Sequence, residues 1–186
     1  LQDPPHETIA LAANLNLEDL FFRYGLRLNH DLLMDLNAAP LGVTTGSIGG
    51  RPQIRLMPWP YFPLTGPASG HPVVRKLSLV RTEFVSSIEA VEAAGVHATP
   101  LLQTSPYTRV VPTPARIALD QLEAPQDQSL YSGPPRTIAM LLEGRFESVF
   151  KNRIPPGDLL PDGQQPLQES LPTAMIVVSD GDLIRN

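Results

Sequence analysis

Apolar positions in this chain come in short bursts, each closed by proline, glycine or a polar pair, and the spacing inside each burst predicts the local element. After a polar lead-in over residues 1–15, Asn16 stands before Leu17, Leu20, Phe21 and Tyr24. That i, i+3, i+4, i+7 pattern predicts a short helix with Asn16 as its N-cap and Gly25 as the glycine that ends it. Residues 26–28 and 31–36 read as extended segments. Residues 42–50 are a Gly/Thr/Ser run that reads as a loop, and residues 53–56 begin the next strand. Met57-Pro58-Trp59-Pro60-Tyr61-Phe62-Pro63 carries three prolines, which remove ladder donors and place it at a sheet edge or in a rigid extended loop. A connector at His71-Pro72-Val73-Val74 leads to a strand over residues 81–90. Residues 99–104, 115–119 and 137–142 are short and apolar. Residues 146–150 read as a helical turn, and the Pro/Gly/Gln-rich residues 154–172 as a mobile loop.

The last stretch, residues 173–186, is the strongest signal. Ala174-Met175-Ile176-Val177-Val178 is a continuous, β-branched-rich apolar run, the pattern of a strand covered on both faces in a parallel sheet. It opens onto Ser179-Asp180-Gly181-Asp182, where a covering helix is then expected, so the chain reads as a piece of something larger. The expected fold is a single α/β domain over residues 1–186: an open, mostly parallel sheet with short helices and long Pro-rich loops. Three runs share one layout, with Leu101-Leu102 passing to Ser105, Met140-Leu141-Leu142 to Glu143, and Val177-Val178 to Asp180. As parallel neighbours they would gather Ser105, Glu143 and Asp180 at the carboxyl edge, where open α/β sheets place ligand sites. The alternative is that each strand simply ends in a polar turn.

Composition narrows the function classes. A net charge of -5 without clustered Lys and Arg argues against a nucleic-acid surface. The absence of cysteine excludes disulfides, thiolate metal sites and a Cys nucleophile. No run approaches the roughly 18 apolar residues of a membrane span. The 21 prolines are about double the usual share and fall between the apolar runs, which keeps helices short.

Candidate chemistry is sparse. Gly46-Ser47-Ile48-Gly49-Gly50 lacks the Lys of a phosphate-binding loop and reads as a turn. Asp180 and Asp182 lack the further oxygen ligands of a calcium loop and read as turn or cap residues. His6, His30, His71 and His97 are scattered without ligand spacing. No Gly-x-Ser-x-Gly elbow occurs. No catalytic residue, metal site or cofactor is therefore assigned. Trp59, Tyr61 and Phe62 form the one dense aromatic patch, stiffened by proline; it is either an interface anchor for a protein or sugar or part of the chain's own core.

Together, residues 20–29, 57–63, 71–74, 141–146 and 177–186 resemble the GldG family, the gliding-motility-associated auxiliary proteins of ABC transporters in Bacteroidetes-type bacteria. The resemblance implies a flavodoxin-like or class I amidotransferase-like α/β domain. It also implies a place at the periplasmic face of the inner membrane, anchored through segments outside this chain, beside an ABC permease and ATPase. It supplies no catalytic motif, and amidotransferase chemistry would need a cysteine. Three functions follow. The first is a non-enzymatic domain binding a partner protein or envelope ligand, with Trp59, Tyr61 and Phe62 as contact. The second is a small-molecule or glycan module at Ser105, Glu143 and Asp180. The third is a cryptic serine or carboxylate hydrolase.

Overall fold

The computed structural model describes residues 7–122, 126–153 and 166–183. Among them, nearly half are extended and few are helical, so the fold is antiparallel β rather than the expected parallel α/β. In chain order the elements are β1 (Glu7–Ala10), α1 (Glu18–Arg23), β2 (Leu26–Leu28), β3 (Asp31–Asp35), β4 (Ala38–Ile48), β5 (Arg51–Pro67), β6 (Val80–Arg81), β7 (Ile88–Ala90), β8 (Val96–Gln103), β9 (Thr108–Pro112), β10 (Ala115–Ala118), β11 (Thr137–Gly144) and β12 (Thr173–Val178). The main sheet is six-stranded and curled, in the order β12-β11-β8-β5-β4 with β6 beside β5. Ribbons β1–β10, β2–β7 and β3–β9 complete the structure. Every paired ladder is antiparallel.

The connections explain this outcome. Parallel neighbours need a crossover of about a dozen residues or more, usually helical. Here the links from β8 to β11 and from β11 to β12 hold no α-helix among the described residues, where the prolines leave α1 as the one α-helix. The strand covered on both faces is not the final run but β11. Ala139 and Leu141 enter one core cluster, and Met140 and Leu142 another. Burial on two faces says nothing about strand direction, and β11 lies antiparallel between β8 and β12. The final strand is corrected further: β12 pairs only with β11, and Ile176 is exposed. It is a half-covered edge strand.

Other expectations fare variously. The helix forms, but Asn16 is left-handed at φ 53° and Leu17 takes the cap position without a side-chain bond. Gly25, at φ 89°, follows the helix as expected. Residues 42–50 are not a loop. They belong to β4, which pairs with β5 down to Ile48↔Arg51, and Gly49 and Gly50 (φ 59° and 77°) form the two-residue turn of a long hairpin. Residues 81–90 are not one strand. Phe84, at φ 49°, breaks the run between β6 and β7. Residues 146–150 form a turn with a bridge at Glu147↔Glu169, not a helical turn. The predicted mobile loop lies mostly outside the described residues.

The Pro-rich segment is strand after all, within β5, and it is core. Trp59, Tyr61 and Phe62 are buried with Leu32, Met34, Ile117 and Tyr131. Its prolines coincide with an irregular stretch of ladder: the register to β4 shifts between Pro40↔Pro58 and Ala38↔Pro63, and on the other side the Tyr61 and Pro63 carbonyls accept from the Phe84 and Thr82 N–H groups. Strand β3 alternates between two cores, with Leu32 and Met34 facing this cluster and Leu33 facing Val85, Leu101 and Ile138.

Candidate functional site

The expected gathering of strand ends does not occur. Because β11 runs opposite to β8 and β12, Ser105 and Asp180 follow strands that end at one edge, while Glu143 sits at the other, opposite His97 and Ala174. Glu143 lies five residue steps along β11 from Ile138, whose carbonyl accepts from Ser179, a strand distance of about 17 Å. The three residues cannot converge on one small ligand.

Ser105 and Asp180 have architectural partners instead. Asp35 is fully buried. Its Oδ1 accepts from the Asn37 N–H at 2.7 Å and the Ser105 hydroxyl at 2.6 Å. Its Oδ2 accepts from the Ser105 N–H at 2.7 Å and the Thr108 hydroxyl at 3.1 Å. The Ser105 hydroxyl also accepts from the Tyr107 N–H. This oxygen is fixed by a turn and has no histidine partner. Asp31 plays the same part for Ser87, accepting its N–H at 2.8 Å and its hydroxyl at 2.6 Å. Asp180 accepts from the Asp182 N–H, which makes it a turn residue as read from the sequence. Its other oxygen accepts from the Glu83 N–H at 3.0 Å and so ties the end of β12 to the segment carrying Phe84.

That segment leads to a cleft of about 670 Å³ between the 11–19 stretch with α1 and the β2–β3 turn. Its walls include Leu11, Leu15, Leu17, Phe21, Phe22 and Phe84. Phe22 is 59% exposed and Phe84 42%, so apolar surface faces water here. A bulky residue at positive φ is a true outlier and costs about 1–3 kcal/mol. Phe84 is held in that state by its N–H bond to the Tyr61 carbonyl and by ring contacts to Tyr61 and Phe62. The strain presents its ring to the cleft. Trp59, Tyr61 and Phe62 therefore act on this surface only from beneath, as core residues.

Polar groups of the cleft are largely committed within the chain. Ser86 donates to the Asp31 carbonyl, Asn29 to Ser87 Oγ, and Thr113 to the His30 carbonyl. Arg27 pairs with Glu89, and its guanidinium holds the Glu89 carboxyl below the usual range. Glu18 and Asp19, on the first turn of α1, are the exposed acids of the rim. Burial pushes the hydroxyls of Tyr61 and Tyr131 above the usual tyrosine value, as expected of core residues. The apolar spacing of α1 is one local sign of this cleft, but its other wall is assembled from turns far away in the chain.

A family model described as "ABC-type uncharacterized transport system" matches residues 1–186. No curated protein and no solved structure matches the chain.

Proposed function

Since the chain belongs to the ABC-type uncharacterized transport system family, whose members are auxiliary components of such transporters, we propose that it is a non-enzymatic domain that works by protein contact, through the apolar cleft beside α1. The observation that carries this reading is the cleft's wall: apolar side chains open to water, over polar groups already bonded within the chain. Exposed contiguous apolar surface marks an interaction site, whereas catalysis needs titratable groups free to act on a substrate. The serines beside Asp31 and Asp35 spend their hydroxyls on those carboxylates. In this reading the domain lies at the periplasmic face of the inner membrane, with the ABC permease and ATPase as its complex. The resemblance of residues 20–29, 57–63, 71–74, 141–146 and 177–186 to the GldG family supports a place in gliding motility and linked secretion.

The test is co-purification of the permease and ATPase with the intact membrane protein carrying Leu15→Asp or Phe22→Asp. Both positions are exposed, so the fold should survive, which Trp59 fluorescence checks. Recovery of the transporter subunits should fall at least about tenfold, the loss of one apolar anchor. Undiminished recovery with a folded domain would refute the cleft as the contact.

A further inference from the structure

The hairpin of β4 and β5 projects as an arm whose two faces differ. Residues 51–56 read Arg-Pro-Gln-Ile-Arg-Leu, and alternation along a strand sends Pro52, Ile54 and Leu56 to one side and Arg51, Gln53 and Arg55 to the other. Across the ladder Leu56 faces Gly42 and Ile54 faces Thr44, so the apolar side is flanked by small residues and is flat. Strict alternation is the signature of a strand with one covered face. Among the described residues nothing covers it: Ile54 is 67% and Leu56 69% exposed.

The arm is also purely basic. No Asp or Glu occurs from residue 36 to residue 82, although the chain carries 19 acids against 14 bases. The cleft beside α1 has the opposite character: apolar side chains within, Glu18 and Asp19 exposed at its rim, and the Arg27 of its lining already paired with Glu89. One copy therefore holds two uncovered surfaces, each the complement of the other in polarity and charge. They cannot meet within one chain, because the ladder holds the arm continuous with the core.

We propose that two copies exchange arms. The Ile54 and Leu56 face of each lies in the other's cleft, and Arg51 and Arg55 reach the partner's Glu18 and Asp19. The exchange is isologous, so it closes as a two-fold dimer rather than a fibre. It rests on the cleft being a protein-contact surface and names the occupant as a second copy.

The experiment is sedimentation of the full chain with two charge-reversed variants, Glu18→Arg/Asp19→Arg and Arg51→Glu/Arg55→Glu. The wild type should dimerise, and each variant alone should be monomeric because its arms and clefts repel. An equimolar mixture should restore a heterodimer, since both exchanged contacts then attract. Ile54→Asp/Leu56→Asp should dimerise at least about tenfold more weakly than wild type. A wild type still monomeric at about 100 µM, far above a micromolar Kd, overturns the exchange, as does a mixture that stays monomeric. If the wild type is monomeric and the Ile54/Leu56 variant loses binding to vesicles containing anionic lipid, the arm is a membrane contact and the exchange is wrong. The two readings fail apart: undiminished transporter recovery with Leu15→Asp removes the cleft as the contact, whereas recovery lost with Leu15→Asp and kept with Ile54→Asp/Leu56→Asp leaves the cleft as a contact and removes the arm from it.

Discussion

Replacing Asp35 by asparagine keeps the shape of the side chain and removes only its ability to accept on both sides. The carboxylate faces two main-chain donors, the N–H of Asn37 on Oδ1 and the N–H of Ser105 on Oδ2. An asparagine has one acceptor oxygen, so in either flip its amide nitrogen confronts one of those N–H groups. The hydroxyls of Ser105 and Thr108 can rotate; the main-chain donor cannot. One part-buried N–H is thus left facing a donor, at a cost of about 1–3 kcal/mol. Asp35→Ala orphans both and should cost roughly twice as much, about 2–6 kcal/mol, a large share of the 5–15 kcal/mol of a typical domain. Urea unfolding followed by the fluorescence of Trp59, the single tryptophan, measures both variants in one assay. A loss below about 0.5 kcal/mol for asparagine, or equal losses for asparagine and alanine, would refute the two-sided role of Asp35.

Gly144 stands at φ 145°, and a Cβ there would lie 2.0 Å from the Gly95 carbonyl oxygen. Gly144→Ala should therefore cost the 1–3 kcal/mol of such a backbone, about, plus the displacement of β8, while Gly70→Ala, with open space around it, should change stability by less than about 0.5 kcal/mol; thermal melts compare the two. Tyr61 and Tyr131 have hydroxyls raised by burial. Their contribution to stability is fully present below the unfolded tyrosine value near 10.0 and is lost as pH rises through the folded values. Tyrosinate absorbance recorded with circular dichroism should show these two ionising only as the fold gives way, and ionisation at the ordinary value with the fold intact would contradict their burial. Glu89 is held low by Arg27, so the pair stabilises above the unfolded carboxylate range and the effect fades as pH falls through the folded value. Both partners are exposed, which limits it to under about 1 kcal/mol. Arg27→Ala should move the Glu89 titration upward by NMR, and an unmoved titration would assign the shift elsewhere.

Local elements were legible where one short pattern decides them. The spacing Leu17, Leu20, Phe21, Tyr24 gave α1, and the extended runs at residues 26–28 and 31–36 match β2 and β3. Direction was not legible, because the apolar run of β11 reports that both faces are covered and not which way its neighbours point. The prolines were the available clue, since they leave the links from β8 to β11 and from β11 to β12 without a crossover α-helix among the described residues. Gly and Thr at residues 42–50 looked like loop, yet the alternation at residues 51–56 required a partner strand, and β4 is that partner. For the site, Trp59, Tyr61 and Phe62 were weighed between surface and core, and burial decides for core. The cleft depends on Phe84 being left-handed, a conformation set by Tyr61 and Asp180 from other parts of the chain. No local pattern announces such a residue.

Strand β5 runs unbroken from Arg51 at the arm's tip, through Trp59, to Pro67 in the main sheet. Eight residues of extended chain, about 26 Å, separate the tip from the indole, and Pro58 and Pro60 stiffen the inner end. The arm is thus a lever with its fulcrum in the aromatic core. Whatever loads the tip is felt where Trp59 packs on Tyr61, and Tyr61 in turn holds the backbone of Phe84. The molecule carries its own strain gauge: emission from one native indole should register engagement of the arm without any added label.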